Sequence, residues 1–121
     1  MVTNEQPVAV LAATEAGAAA WAPWIQELGY VPRIVATNED AITLAAKVQA
    51  RALILDADLP SPSFLDTLRA AAGSLAEERK LVVVSEEADP AWMVVCVASG
   101  ADFFLVKPPS REAITEALRL A

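Results

Sequence analysis

The chain has 121 residues, of which 55% are hydrophobic and 21% charged, and its formal net charge is −7. This length suits one domain, predicted to span residues 1–121, and the apolar content suffices to bury a core. Nine basic against sixteen acidic side chains argue against binding of nucleic acid or an anionic membrane surface. No apolar run reaches the roughly 20 residues of a membrane-spanning helix, and residues 1–7 lack the basic region of a signal peptide. A cytoplasmic location is therefore expected.

The chain contains no histidine and one cysteine, Cys96. These counts exclude nucleophilic sites of the Ser-His-Asp or Cys-His type built from this chain alone, histidine-ligated metals and an internal disulfide. The chain also cannot serve as a histidine phosphodonor. Because Cys96 lies in an apolar run, a small buried hydrophobe is favoured over a reactive thiol. Any chemistry of this chain must use carboxylate, lysine or hydroxyl groups.

Five short apolar runs alternate along the chain with segments of helical periodicity. The runs are bounded by turn residues, which is typical of strands buried on both faces of a sheet. Pro32, near the start of the second run, favours a place at the sheet edge because proline cannot donate a ladder hydrogen bond. Strands are predicted at Pro7–Ala13, Val31–Ala36, Ala52–Asp56, Leu81–Ser85 and Ala101–Val106.

Each run is followed by a segment whose apolar side chains recur about every 3.6 residues, which indicates an amphipathic helix. Asn38 is the predicted N-cap of the second helix, Ser61 or Ser63 that of the third, and Asp89 that of the fourth. The charged run Glu77–Lys80 is interpreted as a solvated link. Helices are predicted at Ala16–Leu28, from Asn38 to about Gln49, over the apolar positions between Phe64 and Leu75, at Ala91–Ser99 and at Arg111–Ala121.

Five strand–helix units in succession predict a parallel sheet with helices on both faces, since right-handed crossovers leave few other arrangements. The predicted fold class is therefore three-layer α/β.

Three polar residues, Asp56, Ser85 and Lys107, end or follow the third, fourth and fifth predicted strands. The carboxyl ends of parallel strands share one edge, where open α/β sheets bind ligands, so these side chains can converge. Together they suit phosphoryl transfer, in which Asp56 attacks while the lysine and serine engage the oxygens of the transferred group. The alternative is that each residue merely ends a strand.

Four segments of the chain carry a resemblance to a known family. They are Glu27–Tyr30 (ELGY), Leu53–Pro60 (LILDADLP), Val82–Ser85 (VVVS) and Gly100–Pro108 (GADFFLVKP). In this order and spacing, and over essentially its whole length, the chain resembles the receiver domain of two-component response regulators. The resemblance implies a flavodoxin-like, doubly wound sheet of five parallel strands in the order 2-1-3-4-5.

The resemblance also implies roles for individual residues. Asp56 falls on the phospho-accepting aspartate, Ser85 on the serine or threonine that moves toward the phosphoryl group, and Lys107 on the family's lysine. Phe104 falls on the switch aromatic. Asp58 falls where the family lends a backbone carbonyl to Mg²⁺, a role that does not depend on its side chain.

The first departure from the family concerns the metal. Receivers end the first strand on a pair of acids that hold Mg²⁺, and Ala12 and Ala13 occupy that position here. Because Mg²⁺ is a hard cation that needs carboxylate oxygens, no cofactor is expected, and Mg²⁺ should bind at most weakly at Asp56 and Asp58. Glu15 lies nearby in the sequence but begins a helix.

The second departure is Phe64, which stands where the family usually has a glycine and is predicted to lie over a normally open pocket. Without competing acids or metal, Asp56 and Lys107 are expected to form a direct ion pair. We therefore predict a degenerate receiver, or pseudo-receiver, which is not an enzyme and acts through protein contacts with weak or no Mg²⁺-dependent phosphorylation. One alternative is a functional receiver phosphorylated on Asp56 by a histidine kinase. Another is a flavodoxin-like small-ligand domain that uses the loop Ala12–Gly17, although a single glycine makes a poor phosphate cradle.

The fourth predicted helix is apolar on all sides. Met93, Cys96, Val97 and Gly100 are assigned to the side that packs on the sheet, which leaves Trp92, Val95 and Ala98 on or near the outside. An exposed aromatic and aliphatic stripe is typical of an interface. The resemblance implies that the fourth helix, fifth strand and fifth helix bind protein partners such as a sensor kinase or an effector. We expect a homodimer through this surface; the alternative is that a neighbouring segment covers Trp92.

Overall fold

A computed structural model of the chain describes residues 6–74 and 79–119. Its strands and helices alternate: β1 (Val8–Ala12), α1 (Glu15–Glu27), β2 (Val31–Val35), α2 (Asn38–Val48), β3 (Ala52–Asp56), α3 (Phe64–Ser74), β4 (Lys80–Ser85), α4 (Pro90–Ala98), β5 (Phe103–Val106) and α5 (Arg111–Leu118). The strands form one sheet in the order β2-β1-β3-β4-β5, and every neighbouring pair is parallel. The predicted flavodoxin-like, three-layer fold is therefore confirmed.

Parts of some predictions lie outside the described residues. They are Leu75 at the end of the third predicted helix, Glu77 and Glu78 in the charged link, and residues 120–121 at the end of the fifth helix. Lys80, which was assigned to the link, is the first residue of β4. Over the two ranges that are described, no helix combines the length and the apolar character needed to cross a bilayer.

Helices bury the sheet on both faces. β1, β3 and β4 are almost fully buried, as expected from their unbroken runs of apolar side chains. On one face α1 and α5 cover the sheet with side chains that include Trp21 and Ile114. On the other face α2, α3 and α4 contribute Ala45, Leu68 and Cys96. The carboxyl ends of β3, β4 and β5 lie side by side between these two layers.

β2 lies at one edge of the sheet, as Pro32 predicted. It pairs with β1 from Val8↔Val31 to Ala12↔Val35. Its side chains are correspondingly less buried than those of the central strands, and Ile34 is 47% exposed. The less buried β2 thus lies at the edge of the sheet, and the strands with unbroken apolar runs lie in its centre.

Short polar side chains begin the helices, because they accept hydrogen bonds from the free amides of the first turn. At α2 the observed cap differs from the predicted one. Thr37 Oγ1 accepts the amide of Asp40 at 3.1 Å, so Thr37 and not Asn38 is the N-cap. Asn38 is the first residue of the helix, and its side chain is fully buried.

α4 is rotated relative to its predicted orientation. Cys96 is fully buried and Trp92 half-buried, whereas Met93 and Val97 are 39% and 49% exposed. The assignment of Met93 and Val97 to the sheet side is therefore wrong, whereas that of Cys96 is confirmed. Val95 and Ala98 are exposed as predicted, and Trp92 is partly covered. Apolar side chains surround this helix, so their spacing does not determine its rotation, and the indole N–H of Trp92 finds its partner on the inside.

Gly100 ends α4 in a conformation that other residues rarely adopt, with a φ of 124°. The space around it is equally restrictive, because a Cβ atom at this position would overlap with the Cβ of Ala72 in α3. The close approach of the α4–β5 turn to α3 therefore requires a glycine here.

Candidate functional site

The three predicted site residues meet at the carboxyl edge of the sheet. Asp56 and Ser85 are the last residues of β3 and β4, and Lys107 follows β5 directly. The parallel register aligns Asp56 with Val84 and Ser85 with Val106, so the three strands end side by side. Asp56 is only 2% exposed and Ser85 1%. Both polar side chains are therefore buried and need hydrogen-bond partners within the protein.

Lys107 lies between two carboxylates. Its Nζ is 2.7 Å from Asp56 Oδ1 and 2.8 Å from Asp56 Oδ2, and 2.9 Å from Asp58 Oδ2. The predicted ion pair between Asp56 and Lys107 is thus present, and Asp58 joins it. Charge-assisted hydrogen bonds of this length are among the strongest that side chains make.

Two opposing effects act on the pKa of Lys107. Burial alone would lower this pKa, because it disfavours the charged ammonium. The hydrogen bonds and negative charges of Asp56 and Asp58 together outweigh burial and raise the pKa above its ordinary value. Lys107 therefore stays protonated and remains the cation of this site.

The side chain of Asp58 has a role that the sequence did not reveal. Its Oδ2 accepts the amide of Glu86 at 2.9 Å, in addition to its contact with Lys107, and its own amide donates to Asp56 Oδ1 at 2.8 Å. The bond from the Asp58 amide to Asp56 Oδ1 closes an Asx-turn, in which an aspartate side chain accepts the amide two residues further on. The spacing of the two aspartates could have suggested this turn. Asp58 thus joins the loop after β4 to the ion pair.

Asn38 is a second functional residue that the sequence did not identify. Its side-chain amide donates to the carbonyl of Asp56 at 2.9 Å, and its Oδ1 accepts the amide of Asp56 at 3.0 Å. The pairing of β1 with β3 ends at Ile54, so Asn38 replaces the strand partner that Asp56 lacks. The N–H and C=O of Asp56 are therefore bonded by α2 on the side of β1, while on its other side β3 stays paired with β4 at Val84.

Ser85 is directed toward α4. Its Oγ accepts hydrogen bonds from Trp92 Nε1 at 3.2 Å and from the amide of Glu87 at 3.0 Å. Phe104, the predicted switch aromatic, is half-buried and packs against the core on the same face of the sheet as α4. Phe64 is buried beside Trp92, with 6.3 Å between the ring centroids, and does not line the open cavity of the site. The prediction that Phe64 covers this pocket is therefore wrong, because the ring packs into the core under α4.

The end of β1 does not supply the donor set that Mg²⁺ requires. Ala12 and Ala13 are buried and carry no oxygen on their side chains, and Glu15, exposed at the start of α1, is not among the residues that line the cavity. Over residues 6–74 and 79–119 no group of three or more acidic or cysteine side chains is arranged to hold a metal ion. Of the three acids that line the cavity, Asp56 and Asp58 both bind the Lys107 ammonium. In this arrangement they do not fit a Mg²⁺ site, because the carboxylate oxygens that a hard cation would take are occupied by the ammonium.

An open cavity of about 820 Å³ lies over the ion pair. Four charged residues line it: Asp56, Asp58, Glu86 and Lys107. The start of α1 and its N-cap also line it, with Thr14, Ala16, Gly17, Ala20 and Trp21. The alternative of a small-ligand domain would place its ligand here. The cavity also leaves the ion pair accessible to solvent and solutes from one side.

No protein-family model and no curated protein matches this chain. Solved structures do. One is a response regulator protein from Burkholderia pseudomallei with a phosphorylated aspartic acid, calcium ion and citrate, at a TM-score of 0.80 and 25% identity over 95% of this chain and 67% of that one. Another is the chemotaxis protein CheY4 of Vibrio cholerae, at a TM-score of 0.78 and 21% identity over 93% of this chain and 95% of that one.

A third is the signal receiver domain of the response regulator NarL from Mycobacterium tuberculosis, at a TM-score of 0.77 and 18% identity over 96% of this chain and 94% of that one. Each of these similarities extends over 93% or more of this chain. Several of the structures to which this chain is similar are thus response regulators or receiver domains, and the chain shares their five-stranded fold.

Proposed function

We propose that the chain is a single receiver-like domain, over residues 1–121, that transmits signals in a two-component or phosphorelay pathway. It acts by binding proteins such as a sensor kinase or an effector, with weak or no Mg²⁺-dependent phosphorylation of Asp56. The shared fold supports the two-component role. One observation carries the finer proposal: Lys107 Nζ bonds both carboxylate oxygens of Asp56, while Ala12 and Ala13 offer no carboxylate that would hold a metal there.

The ion pair makes Asp56 a poor nucleophile. Both oxygens of Asp56 accept hydrogen bonds from Lys107, and Oδ1 also accepts the amide of Asp58. Phosphoryl transfer depends on positive charge placed around the transferred group, and here the ammonium is already shared between two carboxylates. Attack by Asp56 would first have to separate these charges, so we infer slow phosphorylation and no catalytic turnover.

The test is incubation of the protein with acetyl phosphate, or with beryllofluoride, in the presence of Mg²⁺. Intact mass and amide NMR shifts are followed, with Asp56→Asn as the control that cannot accept a phosphoryl group. We expect no more change in the natural chain than in this control. Conversion of most of the protein to a phosphorylated form, or Mg²⁺-dependent shifts centred on Asp56, would overturn the proposal.

A gain-of-function variant tests the physical reason. Ala13→Asp, alone or with Ala12→Asp, returns carboxylates to the end of β1 and is expected to increase Mg²⁺-dependent phosphorylation. Glu15→Gln, which changes an exposed acid outside the cavity, should leave the reaction unchanged. If the acids are restored in a folded protein and phosphorylation stays equally slow, the missing carboxylates are not the cause of the slow phosphorylation.

The alternative is a functional receiver that is phosphorylated on Asp56 by a histidine kinase. Asp56 and Lys107 are in contact, Ser85 ends the adjacent strand, and the similar Burkholderia pseudomallei protein carries a phosphorylated aspartic acid. The acetyl phosphate assay separates the two candidates, because only the functional receiver gains mass at a rate above that of Asp56→Asn.

We further propose that the chain forms a homodimer through α4, β5 and α5. Trp92 is half-buried, and the exposed apolar face consists of Met93, Val94, Val95 and Val97 on α4, with Val106 on β5. Val94 is 65% exposed, and α4 carries no charged side chain that would oppose association. Exposed apolar patches of this kind are typical of interfaces.

Light scattering coupled to size-exclusion chromatography tests the dimer. Val94→Glu and Val97→Glu should each yield a monomer, whereas Ile34→Glu, at the exposed position on β2, should leave the mass unchanged. A natural chain that is monomeric at every concentration, or a Val94→Glu variant that still has the mass of a dimer, would remove this interface.

A further inference from the structure

The hydroxyl of Ser85 is held by the segment that leads into α4. Its oxygen accepts one hydrogen bond from Trp92 Nε1 at 3.2 Å and another from the backbone of Glu87 at 3.0 Å. A hydroxyl oxygen has two lone pairs, so both of its acceptor positions are occupied. The O–H proton remains free to donate, but a rotation of the side chain that moves Oγ toward Asp56 breaks at least one of these two bonds.

Trp92 is held by a hydrogen bond within its own helix and by a contact with α3. Its amide donates to the carbonyl of Asp89 at 3.0 Å, in the first turn of α4. Its ring packs against Phe64, the first residue of α3, with an interplanar angle of 48°. Tilted aromatic pairs contribute stabilisation beyond the area that they bury. A displacement of Trp92 relative to Ser85 thus requires the start of α4 to repack against α3.

A second connection runs through Asp58. Its Oδ2 binds both Lys107 Nζ and the amide of Glu86, each at 2.9 Å. The amides of two consecutive residues, Glu86 and Glu87, are therefore held by the side chains of Asp58 and Ser85. Ala88 and the N-cap Asp89 separate these residues from the first turn of α4, and Glu87 Oε1 accepts the amide of Asp89 at 3.0 Å. The position of that turn consequently depends on the ion pair as well as on Ser85.

We propose that Trp92 and Asp58 are positioning residues that couple α4, with its exposed valine face, to the ion pair of Asp56 and Lys107. An event that draws Lys107 or Ser85 away from its present partners releases the first turn of α4. The coupling is reciprocal, since two linked equilibria affect each other equally. A partner that binds α4 and shifts Trp92 therefore changes the orientation of Ser85. This deepens the proposed function, on which it rests only for the role of α4 as a partner surface.

The test uses the full chain, labelled with ¹⁵N, without any phosphodonor, and follows the indole N–H signals of Trp92 and Trp24. In Lys107→Ala, the Trp92 signal should shift and its hydrogen exchange should accelerate about threefold to tenfold, as expected for the loss of one hydrogen bond. Trp24, in α1 on the opposite face of the sheet, is the internal control and should not change. Asp58→Asn, which keeps the shape of the side chain but removes its charge, should shift Trp92 in the same direction.

Variants of the acceptor distinguish coupling from a general loss of structure. Ser85→Ala removes the acceptor of the indole N–H, so the addition of Lys107→Ala should then change Trp92 little further. Ser85→Thr keeps the oxygen and should restore the response to Lys107→Ala. The proposal is overturned if the Trp92 signal and the exchange of the α4 amides are the same in the natural chain, Lys107→Ala and Asp58→Asn, all folded by circular dichroism. Rapid phosphorylation would contradict the proposed function but not this coupling, which is measured without phosphate.

Discussion

At the scale of single residues, Lys107 determines the electrostatics of the site. Its ammonium lies within 2.9 Å of oxygens on Asp56 and Asp58, and Asp56 is almost completely buried. A buried carboxylate that loses its partner is strongly destabilised, because neither water nor another charge replaces the lost interaction. The open cavity above the pair moderates this effect, since it lets water approach.

Lys107→Ala should therefore lower the free energy of unfolding by about 3 kcal/mol, near the low end of the range for broken buried pairs. The measurement is urea denaturation near neutral pH. Arg69→Ala provides the control, because the ion pair of Arg69 with Asp66 is exposed on α3 and its loss should cost less than about 0.5 kcal/mol. Equal effects of the two substitutions would contradict the importance of the buried pair.

The raised pKa of Lys107 makes stability depend on pH in the alkaline range. A group whose pKa is higher in the folded state stabilises that state fully at pH values below its ordinary pKa of 10.5, and this contribution is lost as the pH rises through the folded value. The difference in unfolding free energy between the natural chain and Lys107→Ala should thus be constant below about pH 9 and narrow above about pH 10.5. Burial also raises the pKa of Tyr30, but Tyr30 is present in both proteins and cancels. If the difference in unfolding free energy between the two proteins widened as the pH rises, the pKa of Lys107 would not be raised in the folded state.

Replacing Asn38 by alanine should lower the free energy of unfolding more than replacing its neighbour Thr37. Asn38→Ala leaves the amide and the carbonyl of Asp56 without partners in the interior, which should cost about 3 kcal/mol. Thr37→Ala removes only an exposed helix cap and should cost about 1 kcal/mol. Thermal or chemical denaturation measures both. The reverse order of the two effects would show that Asn38 is not what holds Asp56.

The sequence predicted the contact between Asp56 and Lys107 because both residues stand at the carboxyl ends of parallel strands, which share one edge of the sheet. It did not predict the role of Asn38, since asparagine at the start of a helix is usually interpreted as a cap. The side chain of Asp58 was overlooked for a related reason. The family resemblance assigns a role to its backbone, and only the fold shows that the amide of Glu86 comes within reach of its carboxylate.

At the scale of elements, the sequence predicted the features that depend on the alternation of strands and helices and on the turn residues at their ends. β3 has the predicted bounds, Ala52–Asp56, because a charged residue or a turn flanks its apolar run at each end. The rotation of α4 was not predictable in this way. An amphipathic helix reveals its buried side by the spacing of its polar residues, and α4 has almost none.

Two glycines allow a matched prediction about α3 and the turn after α4. Gly100→Ala forces a side chain into a φ of 124° and against Ala72, which should cost about 1–3 kcal/mol or more. Gly73→Ala, within α3 and with open space around it, should stabilise the protein by about 0.5–1 kcal/mol. Denaturant midpoints measure both variants. If the two substitutions change the midpoint in the same direction, the close approach of the turn to α3 is not the cause.

At the scale of the whole molecule, five strand–helix units determined the fold from sequence alone, since few topologies accommodate them. Association is a different matter, because it depends on charge as well as on apolar surface. Each copy of the chain carries a formal net charge of −7, so two copies repel one another even where their α4 faces fit.

The dimer should therefore strengthen with ionic strength, because salt screens this repulsion and does not weaken apolar contacts. Sedimentation at ionic strengths of about 0.01 M and 1 M should show a larger dimer fraction in the second condition. Val94→Glu, which adds a charge within the apolar face, should remain monomeric in both. A dimer that dissociates in high salt would indicate an interface held by ion pairs and not by α4.

The reactivity of Cys96 can report the separation of α4 from the sheet. The thiol is the only one in the chain and is fully buried on the inner side of α4, and burial raises its pKa. A thiol-specific reagent can therefore reach it only when α4 separates from the sheet. The rate at which the native chain is alkylated thus records how often this helix opens, without any label having been introduced. Variants that loosen the Trp92 contact can be ranked by that rate alone.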